Sequence, residues 1–186
     1  MILTGSNEFK IIKDSIPLGV NLLAVSKGHK HDSIRKLSGY GQLDFGESRL
    51  QEAILKKIDL SDLTQLRWHF VGTLQKNKVR RVIKEFDFIH SVDSLPLLER
   101  ISRISQEEQK SPNIFLQVKF KDDPNKGGFL KQDLLKSWPK IISLNNINLI
   151  GLMTIPPIAL NSYQRKDLFC ECRDFANYLG LEDCSM

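Results

Sequence analysis

Apolar residues along the chain fall into short continuous or alternating runs, and each run gives way to a stretch where they recur every three to four positions. The first such pair sets the pattern. In Asn21-Leu22-Leu23-Ala24-Val25-Ser26-Lys27 the unbroken apolar run is too short for a helix and suits a central parallel strand covered on both faces. Before it, residues 7–16 read as a helix with Phe9, Ile12 and Ile16 as its stripe, closed by Pro17. After it, Asp32 is the expected cap of a helix that buries Ile34 and Leu37 and stops near Gly39 and Gly41.

The alternation then repeats. Residues 42–47 read as a short strand, and Ser48 with Gln51 makes a capping box that opens a helix with Leu50, Ile54 and Ile58 on its apolar face. Residues 66–72 form the next strand, and Thr73 opens a basic helix that turns Leu74, Val79, Val82 and Ile83 inward. Residues 86–92 are strand, followed by a helix capped by Ser94, with Pro96 in its first turn and Leu97, Ile101 and Ile104 buried. Residues 114–120 are strand, and the charged, proline- and glycine-containing loop 121–128 leads to a helix around 130–138. Asn145-Asn146 marks a turn. Residues 147–155 are a strand closed by Pro156-Pro157, and a helix over 163–179 buries Leu168, Phe175 and Leu179 and stops at Gly180.

About six strand-then-helix units result, the signature of a parallel sheet with helices outside it. The periodicity leaves two architectures open: a doubly wound sheet, or a (β/α)8 barrel that would need about two more units and typically ~250 residues. With 186 residues and a hydrophobic fraction of 41%, the chain is sized for one domain with a sizeable core. Its apolar runs fall far below the ~20 residues of a membrane span, and the N-terminus shows no apolar signal segment, so a cytoplasmic location is expected. Cys170, Cys172 and Cys184 are odd in number and late in the chain, which suits reduced thiols, with Cys170 packed on its own helix; no metal spacing is formed.

Net charge is +5, compatible with attraction to phosphates. Lys76, Arg80 and Lys84 lie four apart and would stripe one helix face, but no aromatic residues interleave with them, so a solvated outer face is expected and a nucleic-acid contact is the lesser alternative. No glycine-rich nucleotide fingerprint follows the first strand, and no P-loop occurs. The chemistry points instead to Lys27, at the carboxyl end of a core strand where α/β proteins place their sites. Held against apolar neighbours, such a lysine keeps more free amine to form a Schiff base with an aldehyde. The competing reading is a strand-end lysine that snorkels to solvent.

The ordered set of strand ends resembles the pyridoxal phosphate homeostasis proteins. It comprises Ala24-Val25-Ser26-Lys27, Phe45-Gly46-Glu47-Ser48-Arg49-Leu50-Gln51-Glu52, the run from Trp68 to Lys78, His90-Ser91-Val92-Asp93, Lys126-Gly127-Gly128 and Gly151-Leu152-Met153-Thr154-Ile155-Pro156. The resemblance runs from about residue 20 to the last residue. It implies an α/β fold of the TIM-type barrel, like the N-terminal domain of alanine racemase, with pyridoxal 5′-phosphate held as an internal aldimine on Lys27. It also implies a carrier in vitamin B6 homeostasis without catalytic turnover, whose partners are the cofactor and the apoenzymes that receive it.

Ser48, Met153 and Ser185 carry over as further cofactor-binding positions, while His69, between Trp68 and Phe70, is expected to be a hydrogen-bonded structural residue. Two departures stand out. Ser48-Arg49 replaces the Asn-Tyr of the family's Gly-Glu-Asn-Tyr, and Ser185-Met186 opens the family's Ser-Met-Gly-Met-Ser segment at the point where the chain stops. The expectation is therefore one barrel domain over residues 1–186, monomeric, lacking the last two strands and most of the phosphate cradle, with weakened cofactor retention unless a second chain covers the gap. The alternative from the enzyme class is a racemase or lyase that uses Lys27 as a base.

Overall fold

The computed structural model describes residues 5–123 and 126–186. Expectations that fall on Met1 to Thr4 and on Pro124 and Asn125, the N-terminal residues and the centre of the charged loop, lie outside the described residues. The chain divides into two compact units, Met1–His69 and Phe70–Met186.

The first unit runs α1 (Gly5–Ser15), β1 (Ala24–Val25), α2 (His31–Gly39), β2 (Asp44–Glu47), α3 (Leu50–Asp59) and most of β3 (Arg67–Phe70). β1 and β2 are parallel, with Ala24 opposite Phe45 and Val25 opposite Gly46. α1 is anchored by Phe9, whose ring lies 6.2 Å from that of Tyr40, whereas the expected stripe partner Ile12 is exposed. α2 starts behind Lys30 instead of Asp32, which lies in the first turn, where its carboxylate still suits the positive end of the helix. Ile34 is fully buried and Gly41 takes the turn at φ +88°.

The expected capping box at Ser48 does not form. β2 continues through Glu47, so Ser48 remains in the connection and Arg49 holds the cap position without a side-chain bond. The buried face of α3 is also rotated: Leu50, Ala53 and Lys56 point inward, and the expected Ile58 is exposed.

The second unit runs a 3-10 turn (Lys76–Lys78), α4 (Val79–Glu85), β4 (Phe88–Val92), α5 (Leu95–Glu107), β5 (Asn113–Lys119), β6 (Phe129–Leu130), α6 (Lys131–Ile141), β7 (Asn148–Met153), α7 (Ser162–Tyr178) and β8 (Asp183–Ser185). β4 pairs with β5, β5 with β7 and β7 with β8, all in parallel, and β6 pairs with the end of β5. Thr73 does not open the basic helix; the 3-10 turn intervenes and α4 begins at Val79, with Val79, Val82 and Ile83 buried as expected. Ser94 holds the cap position of α5, but its hydroxyl donates to Asp93 Oδ1 at 3.1 Å. α7 has the fuller cap: Asn161 Oδ1 accepts from the Gln164 amide and Gln164 Oε1 from the Asn161 amide, both at 3.0 Å. The buried cysteine of this helix is Cys172, beside Leu168, Phe175 and Ala176; Cys170, expected to pack, points outward.

β8 adds a strand that the hydrophobic pattern did not announce. Asp183, Cys184 and Ser185 pair with Gly151, Leu152 and Met153. The approach is close enough that a Cβ on Gly151 would lie 2.2 Å from the Asp183 carbonyl oxygen and 2.9 Å from Phe115 Cε1. Backbone cannot yield as a flexible side chain can, so Gly151→Ala is expected to cost about 1–3 kcal/mol and to loosen β8. Denaturant unfolding reads the first, and faster exchange of the β8 amides reads the second.

A lysine turn held by a buried ion cluster

Parallel strands deliver their carboxyl ends, and the loops that follow, to one edge of a sheet. Each cofactor-binding position expected from the sequence lies at the end of its own strand: in the first unit Lys27 beyond β1 and Ser48 directly after β2, in the second unit Met153 at the end of β7 and Ser185 at the end of β8.

In the first unit the Ser26 amide donates to Gly46 O at 2.9 Å, extending the β1–β2 ladder by one step. The His29 amide then closes a turn on Ser26 O at 3.0 Å, with Gly28 at φ +79°. Lys27 lies inside this turn and is solvent-exposed. This exposure differs from the apolar wall expected around Lys27. Apolar surface gathers instead at a cavity of about 350 Å3 beside β1, lined by Val25, Ile34, Leu37 and Phe45 among others, with Lys27 outside its lining.

What lies beneath the turn is charged. Lys56 Nζ, buried, donates to Ser26 O at 2.8 Å, to Glu47 Oε1 at 2.7 Å and to Glu52 Oε1 at 2.6 Å. The Ser26 hydroxyl also donates to Glu47 Oε1 at 2.7 Å, and the Gly28 amide donates to Glu52 Oε1 at 2.7 Å. Glu47 is fully buried, and its Oε2 has no hydrogen-bond partner among the described residues. Hydrogen bonds from Lys56, and next from the Gly28 amide, hold the Glu52 carboxyl below its usual pKa. The sequence does not advertise the burial of Lys56, since an i,i+4 Glu–Lys pair on a helix ordinarily marks an exposed face. The available signal was a lysine at the i+3 spacing that continues Leu50 and Ala53.

In the second unit Met153 is buried and register-paired with Ser185. Ser185 Oγ lies 2.7 Å from Nδ1 of His90, a buried residue of β4 whose ring stacks on Phe115 at 4.4 Å. Thr154 closes this strand end, its amide bonded to Ser185 O at 3.0 Å and its hydroxyl to Val118 O at 3.1 Å. Lys126 reaches Pro156 O at 2.8 Å. A hydrogen bond between Cys172 and Cys184 pulls the Cys184 thiol down to about 7 and, with burial, pushes Cys172 far above the usual range.

The remaining expectations divide clearly. His69 is buried with Nε2 at 3.0 Å from Asp44 Oδ1, the structural role expected of it. The basic stripe is largely paired: Arg80 bonds to Glu107 and Glu108, and Lys84 lies 2.9 Å from Glu108. Among the described residues no helix is long and apolar enough to cross a membrane.

The family model for the alanine racemase N-terminal domain matches residues 6–181. Against solved structures, PipY of Synechococcus elongatus without pyridoxal phosphate superimposes at a TM-score of 0.95 with 41% identity, covering 97% of this chain and 87% of PipY. An alanine racemase of Clostridium difficile superimposes at 0.72 with 18% identity, covering 93% of this chain and 47% of the racemase, a likeness of fold alone. The molecule thus has the fold of the alanine racemase N-terminal domain. Among curated sequences, the pyridoxal phosphate homeostasis protein of Synechocystis is 39% identical over 166 residues, 89% of this chain and 76% of the relative. That of Pseudomonas aeruginosa is 36% identical over 172 residues, 91% of this chain and 74% of the relative. The chain belongs to the pyridoxal phosphate homeostasis protein family.

Because the folded Glu52 pKa lies below its unfolded value of about 4.3, the unfolded chain binds more protons between the two. The Glu52 contribution is complete above the unfolded value and is lost as pH falls through the folded one. Urea midpoints measured from pH 7 downward should fall less steeply for Glu52→Gln than for the wild type; parallel curves would mean that the pairing does not act in solution.

Proposed function

We propose that this chain binds pyridoxal 5′-phosphate through a Schiff base on Lys27 and serves intracellular vitamin B6 homeostasis as a carrier without catalytic turnover. The observation that carries the reading is the Lys27 turn: a primary amine exposed at the carboxyl end of a parallel strand, on a backbone tied from below by buried charge. The PipY structure with pyridoxal phosphate bound supports it, at a TM-score of 0.94 and 39% identity, covering 98% of this chain and 88% of PipY.

The residues present fit the group by their chemistry. Lys27 offers an exposed nucleophile, Ser48 and Ser185 offer hydroxyls at strand ends, and Met153 offers apolar surface for a ring. Lys27 and the hydroxyls of Ser48 and Ser185 would hold the group, whose aldehyde, when bound, would offer the Lys27 amine a reversible condensation with loss of one water, returned on hydrolysis. Lys27 thereby gives a bond strong enough to keep a reactive aldehyde out of solution and reversible enough to release it to an apoenzyme. On this reading the protein acts as a monomer in the cytoplasm, and its partners are apoenzymes that take up the cofactor.

The test is to mix the protein with pyridoxal phosphate, reduce with borohydride and map the modified lysine. Labelling concentrated on Lys27, and lost in Lys27→Ala, is the expected result. Labels scattered over surface lysines such as Lys76 would overturn the site, and turnover of an amino acid by the loaded protein would overturn the carrier role.

A further inference from the structure

The two peptide groups that flank the Lys27 Cα share one anchor. The preceding carbonyl, Ser26 O, accepts from Lys56 Nζ at 2.8 Å, and the following amide, Gly28 N, donates at 2.7 Å to Glu52 Oε1, which itself accepts from Lys56 at 2.6 Å. We propose that Lys56 is the positioning residue for Lys27: with Glu47 and Glu52 it fixes both backbone dihedrals of Lys27, aiming the Cα–Cβ bond while leaving the amine free. This rests on the reading that Lys27 carries the cofactor.

Three observations support a directional role over simple stabilisation. First, Lys56 commits all three of its N–H bonds, and one of them goes to a main-chain carbonyl of the turn, which neutralising a carboxylate does not require. Second, the arrangement is an expensive way to fill the space, because Glu47 is fully buried and one of its oxygens is unpartnered among the described residues. Apolar residues of similar size commonly hold such a place as well as a buried ion pair does. Third, the reactive side chain itself takes no part. Lys27 is exposed while its backbone is tied on both sides, and a nucleophile gains from a fixed origin only when its partner must be met at a set angle.

The experiment compares the wild type with Lys56→Met, Glu47→Gln/Lys56→Met and Glu52→Ala, following thermal melting, Gly28 amide exchange, and the site and extent of borohydride labelling after pyridoxal phosphate. The single Lys56→Met change strands a buried carboxylate and is expected to lower the melting temperature. The double change removes the two buried charges together, leaving the more exposed Glu52 carboxylate, and should recover much of that loss. Folded double variant should nevertheless show faster Gly28 exchange and Lys27 labelling reduced by about 10- to 100-fold, as expected for a displaced reacting group. Modification of Lys27 by formaldehyde and borohydride, which needs no fixed angle, should change far less, and Lys56→Arg should restore part of the labelling.

Wild-type Lys27 labelling and Gly28 exchange in the folded double variant would overturn the positioning role. Should the double variant not fold, Glu52→Ala decides: it removes the Gly28 tie and one of the three Lys56 bonds while leaving Lys56 on Ser26 O and Glu47, and unchanged Lys27 labelling there overturns the proposal. Failure of the wild type to label at Lys27 would instead sink the cofactor reading, while Gly28 exchange would still report whether Lys56 holds the turn.

Discussion

A lysine ammonium buried between two carboxylates and a main-chain carbonyl sets the local geometry of the first unit. Lys56 draws Glu47 at the end of β2, Glu52 on α3 and Ser26 beyond β1 onto one nitrogen. A strand end, a helix and a turn are thereby tied together where the strand ladder has stopped. Charges this deep are costly, and removal of one partner from such a pair typically costs about 3–5 kcal/mol because the other is left unpaired. The cluster is therefore better understood as a constraint than as a source of net stability. It accounts for two departures from the hydrophobic pattern: α3 turns a lysine inward where Ile58 was expected, and Ser48 stays in the connection after β2.

The second unit holds its strand ends by different means. β8 comes against β7 so closely that only glycine fits at position 151, and the next residues are locked by Thr154, whose amide bonds to Ser185 O at 3.0 Å. The imidazole of His90, stacked on Phe115, then fixes the Ser185 hydroxyl. A hydroxyl whose position is set by a buried ring is a directed hydrogen-bonding group, whereas the same serine in a free tail would have no preferred orientation. Charge on the outer helices is handled differently again. Glu107 and Glu108 at the end of α5 take up Arg80 and Lys84 of α4, so the net positive charge is less available to a polyanion than the spacing of the basic residues suggests.

The sequence by itself determined the order of strands and helices, since a parallel α/β layout is written in the alternation of short apolar runs with three-to-four spacing. It also placed Lys27 at a strand end, and the series of strand-end motifs identified the family. Helix starts were less legible: Asp32, Ser48 and Thr73 are all good capping types, yet the helices begin elsewhere, because the preceding strand or turn decides where the backbone is free to coil. Only the tertiary structure decided that Lys56 is buried, that β8 forms and that Lys27 is exposed. Each depends on groups far apart in sequence: Lys56 needs Ser26 and Glu47, β8 needs Gly151, and the exposure of Lys27 reflects what packs around its turn. Periodicity reports which face of an element is apolar, and it cannot report a charged side chain whose burial is made tolerable by partners from other elements.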